Sequence, residues 1–159
     1  MLCKLKEVLD QAKISYEIYN HRSAFTAQET AQSLHNSGKE MAKVVILKAD
    51  GSFLMAVVPA DRLVSLGKAR VALRVRDVSV ASEDEFVSLF PGCEIGAMPP
   101  FGNLFGLPVY VDASLEGEEE VFFNAGNHHQ TVRLSNPDFK KLVKPIIVSL
   151  TESRYRKAA

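Results

Sequence analysis

The sequence predicts an α+β domain in which helices flank a mixed, partly barrel-like β-sheet. The first observation is a pair of nearly continuous apolar runs, residues 41–49 and 53–60, on either side of Asp50-Gly51. That dipeptide between apolar runs is the strongest short signal of a β-hairpin. The second observation is the order of the chain, in which helical segments are interspersed with short strands without a regular βαβ repeat.

The segment before this hairpin predicts a helix, a strand and a second helix. Residues 2–13 place leucine and valine at helical spacing, and residues 16–19 alternate as a short strand. Thr26 and Glu29 match a capping box, so we expect a helix from Thr26 to about residue 35. Within the hairpin, continuous rather than alternating hydrophobicity predicts that both faces of its strands are covered.

The segment after the hairpin predicts further helices and strands. Asp61 is expected to cap a helix through residues 68–71, and Ser82 to Glu85 form a second capping box. The remaining predicted elements are strands at residues 77–80, 109–112, 118–125 and 131–134 and a helix at residues 136–143. We expect one domain over residues 1–150 and a flexible tail over residues 151–159.

Composition is typical of a soluble globular domain, with 47% hydrophobic and 24% charged residues among 159. No apolar run is long enough to span a membrane, and the N-terminus lacks a signal-peptide core. Cys3 and Cys93 form no C-x-x-C pair, so neither disulfides nor zinc are expected, and the simplest location is cytoplasmic. The net charge is zero, so nucleic acid must be contacted through a local patch, for which residues 62–76 are the candidate.

Residues 91–108 hold four of the nine glycines and four of the seven prolines, together with several large apolar side chains. Gly and Pro at this density exclude a regular helix or a central strand, whereas the apolar side chains exclude a solvated linker. We therefore expect an ordered loop that is packed by its own side chains. Because Gly lets the backbone approach a ligand closely, this loop is the predicted active site.

Lys43 is an anomaly at the start of the first apolar strand. Strand periodicity places it on one face with Val45 and Leu47. A lysine at such a position either extends its amine to the rim of the sheet or meets an anion. The sequence pattern leaves both interpretations open.

Other chemistries find little support in the sequence. A cysteine hydrolase would need a thiolate at Cys93 beside a base, but Glu94 disfavours the thiolate, and a buried, inert cysteine is favoured. Adjacent strand residues point to opposite faces, which argues against a metal site at His128 and His129. The chain contains no G-x-S-x-G, P-loop or dinucleotide-binding motif.

Three motifs, in order along the chain, carry a resemblance to a known family. They are Lys43 before V-V-I-L, the segment G-A-M-P-P-F-G over residues 96–102, and F-N-A-G over residues 123–126. Over about residues 3–148, the chain resembles the YbaK/ProX family. That family comprises free-standing relatives of the editing domain of bacterial prolyl-tRNA synthetases.

The resemblance implies an aminoacyl-tRNA deacylase, which hydrolyses the ester between a wrong amino acid and the 3′-adenosine of a tRNA. The expected substrate is a proline tRNA that carries alanine, cysteine or a similar small amino acid, and neither a metal nor an organic cofactor is expected. Lys43 and Gly96 are the expected catalytic residues. Backbone N–H groups around Gly96 would stabilise the oxyanion, and Lys43 would hold the terminal nucleotide.

The same resemblance implies further substrate-binding residues. They are His21, Phe25, Met98, Pro99, Pro100, Phe101, Asn124, Gly126 and His128. Pro99 and Asn124 depart from the residue types of some family members, so the amino acid specificity stays open. The expected partner is the acceptor end of an aminoacyl-tRNA, and a synthetase or an elongation factor could add affinity. The alternative function is a non-catalytic module that binds tRNA or a synthetase.

Overall fold

The computed structural model describes residues 2–21 and 41–153. Four α-helices lie in these ranges: α1 Cys3–Gln11, α2 Leu66–Leu73, α3 Glu83–Phe86 and α4 Asn136–Val143. Ten strands accompany them: β1 Glu17–Asn20, β2 Ala42–Ala49, β3 Ser52–Pro59, β4 Arg62–Val64, β5 Val78–Val80, β6 Val109–Asp112, β7 Glu120–Asn124, β8 Gln130–Ser135, β9 Ile146–Val148 and β10 Thr151–Ser153. The helix predicted from Thr26 lies outside the described residues. None of the described helices is long and apolar enough to cross a membrane.

The strands form mixed sheets. Five strands have the order β5-β2-β3-β6-β9, with antiparallel pairing of β2 to β3 and parallel pairing of β3 to β6 and of β6 to β9. A second sheet has the order β1-β8-β7, and β4 pairs with β10. A parallel bridge between Met41 and Phe122 joins the start of β2 to β7, so the two larger sheets meet there. This arrangement confirms the predicted α+β class.

The β2–β3 hairpin follows its sequence signal. Asp50 and Gly51 have φ values of +46° and +86°, the positive values that a two-residue hairpin turn of this kind requires. Ile46 packs in the main core, and its neighbour Leu47 packs in a smaller cluster on the other face. Both faces of the strands are therefore covered, as the continuous apolar runs predict.

The predicted helix cap at Asp61 is wrong. Arg62–Val64 form β4, and α2 begins only after Ser65, whose Oγ accepts a hydrogen bond from the Lys68 N–H at 3.2 Å. The chain is extended here because Thr151–Ser153 pair with β4 from the far end of the sequence. The long-range pairing of β4 with β10 therefore outweighs the local capping signal at Asp61.

Strand β10 begins at residue 151, where the sequence predicts a flexible tail. It is anchored by Asp112, a buried carboxylate at the end of β6. Asp112 Oδ1 accepts hydrogen bonds from the N–H groups of Leu150 and Thr151 at 2.7 and 3.0 Å, and Oδ2 accepts one from the Thr151 hydroxyl at 2.9 Å. Residues 154–159 of the predicted tail lie outside the described residues.

Replacing Asp112 by asparagine is expected to lower the free energy of unfolding by about 2–3 kcal/mol at neutral pH, since a charged acceptor of buried donors is lost. Burial alone raises the pKa of the Asp112 carboxyl, but hydrogen bonds from Ser114, Leu150 and Thr151 outweigh it and hold the pKa below its usual 3.8. The charge therefore stabilises the fold above that usual value, and its contribution is lost as the pH falls through the lowered value. Urea denaturation of both proteins from neutral to acid pH checks this. A difference that stays constant across that range would contradict it.

Candidate active site

The Gly/Pro-rich loop has an exposed tip and a buried base. Residues 94–96 are exposed, whereas residues 97–101 are buried. The Phe101 side chain is fully buried, and its ring centroid lies 5.5 Å from that of Phe123 and 5.7 Å from that of Phe139. The loop is thus ordered by its own apolar side chains, as the sequence predicts, and this packing fixes the base from which the tip projects.

The tip of the loop is a tight turn with Gly96 at its third position. The Ala97 N–H donates to the Glu94 carbonyl at 3.1 Å, which closes the four-residue turn. Gly96 has a φ of +84°, a conformation that strongly favours glycine. Within residues 2–21 and 41–153, the exposed Gly96 N–H makes no hydrogen bond. An exposed donor on a fixed turn is the kind of group that can bind an oxyanion.

The turn between β7 and β8 supports the loop from behind. The Glu94 N–H donates to the Gly126 carbonyl at 2.8 Å, and the Gly126 N–H donates to the Ala97 carbonyl at 3.0 Å. Gly126 itself has a φ of +98°, and a Cβ atom there would lie only 3.2 Å from Leu2 Cβ. Gly126 therefore holds both ends of the Glu94–Ala97 turn, and its contact with a substrate stays a prediction.

His128 lies against the same turn. Its side chain is 5% exposed, and its Nε2 donates to the Ile95 carbonyl oxygen at 2.7 Å. The His128 backbone N–H donates to Glu94 Oε2 at 3.2 Å. The ring is thus engaged with the loop backbone, a role that the sequence did not indicate, and its predicted contact with a substrate stays a prediction.

Lys43 approaches the same region from the start of β2. It pairs with Val58 of β3 and is partly buried. It lies two residues beyond Met41, whose parallel bridge to Phe122 joins the start of β2 to β7. The predicted nucleotide-binding lysine therefore lies beside the strand that leads into the β7–β8 turn.

Asn124 carries a buried oxygen that is unpaired within the described part of the chain. The residue is 5% exposed, and its Oδ1 makes no hydrogen bond. A buried acceptor without a donor costs about 1–3 kcal/mol, so we expect a water molecule or a ligand to donate to this oxygen. Asn124 is paired in register with Thr131, whose Oγ1 is hydrogen-bonded to His21 Nε2 at 2.8 Å. Thr131 is absent from the predicted site residues, although it begins a predicted strand that follows the strand of Asn124 after a short turn.

The predicted residues converge on the end of β7 from two sides. Asn124 is the last paired residue of β7, and His21 is bonded to its partner Thr131. Lys43 lies near the bridge between the start of β2 and β7, and Gly96 belongs to the turn held by Gly126, two residues beyond Asn124. The other predicted pocket residues are buried in the loop base or lie outside the described residues: Met98, Pro99, Pro100 and Phe101 in the first case and Phe25 in the second.

The basic segment at residues 62–76 divides into two sets. Arg62 Nε donates to Thr151 Oγ1 at 2.6 Å, and Lys68 Nζ donates to the Thr151 carbonyl at 2.8 Å, so these two side chains fasten β10. The other three side chains are exposed and are the remaining candidates for phosphate contacts: Arg70, Arg74 and Arg76.

The structure also bears on two alternative chemistries, a cysteine nucleophile and a metal site. Burial raises the pKa of the Cys93 thiol to about 11, so little thiolate is present at neutral pH. Among the residues that the structure describes, no group of three or more His, Cys, Asp and Glu side chains could hold a metal ion. The local features of this site are therefore backbone donors, a lysine and a buried amide.

Comparison with known proteins identifies relatives that act on aminoacyl-tRNA. Residues 21–142 match the family model of the aminoacyl-tRNA editing domain. The chain is 25% identical over 151 residues to the multifunctional Ser/Thr-tRNA deacylase ProXp-y of Escherichia coli strain K12, a match that covers 92% of this chain and 90% of that protein. It is also 31% identical over 87 residues to the proline–tRNA ligase of Acidithiobacillus ferrooxidans, which covers 55% of this chain and 15% of the ligase.

Solved structures share the fold. The hypothetical protein APE2540 superimposes with a TM-score of 0.84 at 20% identity, covering 94% of this chain and 99% of that one. A proposed trans-editing enzyme for prolyl-tRNA synthetase superimposes with a TM-score of 0.80 at 22% identity, covering 94% and 96%. The chain therefore belongs to the aminoacyl-tRNA editing domain family.

Proposed function

We propose that the chain is a trans-editing deacylase that removes a small amino acid from a mischarged tRNA. The observation that carries the proposal is the exposed Gly96 N–H, which makes no hydrogen bond within the described residues and lies on a turn bonded to Gly126, two residues after the buried Asn124. In this proposal the Gly96 N–H donates to the ester carbonyl and stabilises the oxyanion. Lys43 holds a phosphate or ribose oxygen of the terminal nucleotide, a contact that a mobile point charge can make without a fixed fork geometry.

The proposed reaction uses no side-chain nucleophile. An aminoacyl ester is already activated, so a positioned water molecule or the neighbouring ribose hydroxyl can attack it once the developing oxyanion is stabilised. In this proposal the Gly96 N–H stabilises the oxyanion, and the positive charge of Lys43 positions the terminal nucleotide.

Replacing Cys93 by alanine is expected to leave the rate of ester hydrolysis unchanged, because a thiol whose pKa is raised to about 11 is a poor nucleophile at neutral pH. The measurement is single-turnover hydrolysis of a mischarged tRNA by the wild type and the variant. Thermal denaturation of both proteins serves as the control for folding. A variant that is folded but inactive would support a cysteine hydrolase instead.

The family resemblance, the relatives and Asn124 together suggest which amino acids the chain removes. The family resemblance implies alanine or cysteine, whereas the Escherichia coli relative is named for serine and threonine. The buried, unpaired oxygen of Asn124 suits an amino acid that donates a hydrogen bond from its ammonium group or its side chain. Serine and threonine, whose hydroxyl groups donate, therefore join alanine and cysteine as candidate substrates.

Replacing Asn124 by leucine is expected to lower kcat/KM for a seryl-tRNA by about tenfold, with a smaller effect on an alanyl-tRNA, because only the serine side chain has a hydroxyl to place against the lost acceptor. Leucine keeps a similar volume and removes the polar atom. Both substrates are measured as competitors in one reaction. An equal loss for both would assign the Asn124 oxygen to the ammonium group, which all amino acids share.

The proposal as a whole is tested by the release of amino acid from a panel of mischarged tRNAs. The panel carries alanine, cysteine, serine and threonine on the proline tRNA, and the same amino acids on their cognate tRNAs serve as correctly charged controls. Hydrolysis by the wild type identifies the substrate. Binding of tRNA without hydrolysis of any panel member would favour the non-catalytic module. A synthetase partner draws support from the matched proline–tRNA ligase, and an elongation factor has no comparable support.

A further inference from the structure

The Ile95 carbonyl and the Gly96 N–H belong to one peptide unit. The described residues contain no cis peptide bond, so this unit is trans and its C=O and N–H groups point in opposite directions. The Ile95 carbonyl points to His128 Nε2, 2.7 Å away. The Gly96 N–H must therefore point away from the His128 ring.

The turn itself does not determine this orientation. The central peptide of a four-residue turn can lie in either of two orientations, and the flip changes the sign of φ at the third residue. The hydrogen bond from the Ala97 N–H to the Glu94 carbonyl is compatible with both. Gly96 at the third position has no side chain to exclude either one. A contact from outside the turn can therefore shift the balance toward the observed φ of +84°.

The His128 ring supplies such a contact. It is 5% exposed, and the backbone beside it is held by the bond from the His128 N–H to Glu94 Oε2 at 3.2 Å. A flipped peptide would turn the Ile95 carbonyl away and deprive the buried Nε2–H of this acceptor, which is unfavourable. The His128 ring therefore favours the peptide orientation in which the Ile95 carbonyl faces the ring and the Gly96 N–H points away from it.

We propose that His128 is a positioning residue: by binding the Ile95 carbonyl, its ring directs the Gly96 N–H toward the ester carbonyl of the substrate. The inference rests on the proposed function of that N–H as the oxyanion donor. It gives His128 an action through the loop backbone, in place of the direct substrate contact that the family resemblance implies. Other bonds, from Glu94 to Gly126 and from Gly126 to Ala97, hold the loop in position without the ring. Loss of the ring is thus expected to release the peptide while the loop stays attached.

Two substitutions at His128 separate this role from packing. His128→Leu keeps an apolar bulk but removes the donor, and His128→Gln restores an N–H donor at a similar distance from the backbone. We expect kcat to fall at least about tenfold in His128→Leu, with little change in KM, and to recover in large part in His128→Gln. His129→Ala, at the exposed neighbouring position, is the matched control and keeps the wild-type rate. Thermal denaturation of all the variants confirms that they are folded.

A second measurement needs no substrate. Nuclear magnetic resonance of the labelled protein reports the Gly96 amide and the Ile95 carbonyl, whose signals should shift in His128→Leu and return toward the wild-type positions in His128→Gln. Unchanged signals, an unchanged kcat in His128→Leu, or equal losses of kcat in both variants would overturn the inference. If the wild type hydrolyses no substrate, the proposed function fails, and the resonance measurement still decides whether His128 orients the peptide.

Discussion

Replacing Gly96 by alanine is expected to lower kcat for aminoacyl-ester hydrolysis by about 10²–10³-fold, the usual cost of one lost oxyanion donor. A Cβ atom is strained at a φ of +84°, so the turn must relax, and its N–H then leaves the direction that the oxyanion requires. KM should change little, because the donor is needed mainly when negative charge develops on the carbonyl oxygen. Single-turnover hydrolysis at saturating enzyme measures the effect on the chemical step.

Gly106→Ala is the matched control for backbone strain. Gly106 lies in the same loop with a φ of +72°, and a Cβ atom there would meet nothing within 4 Å. It follows the short 3-10 helix Gly102–Phe105, away from the turn that carries Gly96. We expect the two variants to lose similar thermal stability, while only Gly96→Ala loses activity. Equal losses of activity would mean that the rate depends on the stability of the loop and that Gly96 has no special part in the reaction.

Local signals account for the elements that the sequence predicts correctly. The Asp50-Gly51 turn follows from two adjacent residues. In the capping box of α3, the Ser82 side chain accepts from the Glu85 N–H while the Ser82 N–H donates to Glu85 Oε1 at 3.0 Å. The cap at Asp61 fails because β4 depends on β10, a segment almost ninety residues away whose pairing no local pattern reveals.

The residues of the candidate site also differ in whether a local sequence signal or a long-range contact identifies them. Lys43 is recognisable because a charge at the start of a buried strand is unusual, and the loop around Gly96 because of its Gly and Pro content. The part of His128 depends on a contact with Ile95, 33 residues away in sequence. The unpaired oxygen of Asn124 likewise depends on how the strands pack around it. A sequence lists these residue types, but the direction of a side chain or a peptide appears only when the strands are paired.

Replacing Lys43 by alanine is expected to lower kcat/KM by about 10- to 100-fold, since a charge-assisted contact of about 1.5–3 kcal/mol with the terminal nucleotide is lost. If that contact is to a phosphate, the dependence of binding on salt should also weaken by about one counterion. Lys43→Arg keeps the charge and is expected to restore binding in part, because a planar guanidinium does not reproduce the position of a compact amine. Steady-state kinetics at several salt concentrations measures all three effects.

Lys48→Ala is the matched control, since Lys48 is on the same strand about 17 Å away and forms an ion pair with Glu85 at 3.0 Å. The comparison separates a specific contact from the general attraction of a positive charge for tRNA. The general effect would act on both variants to a similar extent, because the net charge of the chain changes equally. A loss confined to Lys43→Ala, with the salt dependence reduced, would assign the phosphate contact to Lys43. A loss confined to Lys43→Ala with the salt dependence unchanged would assign the ribose instead, and equal losses would contradict a nucleotide-binding role at this position.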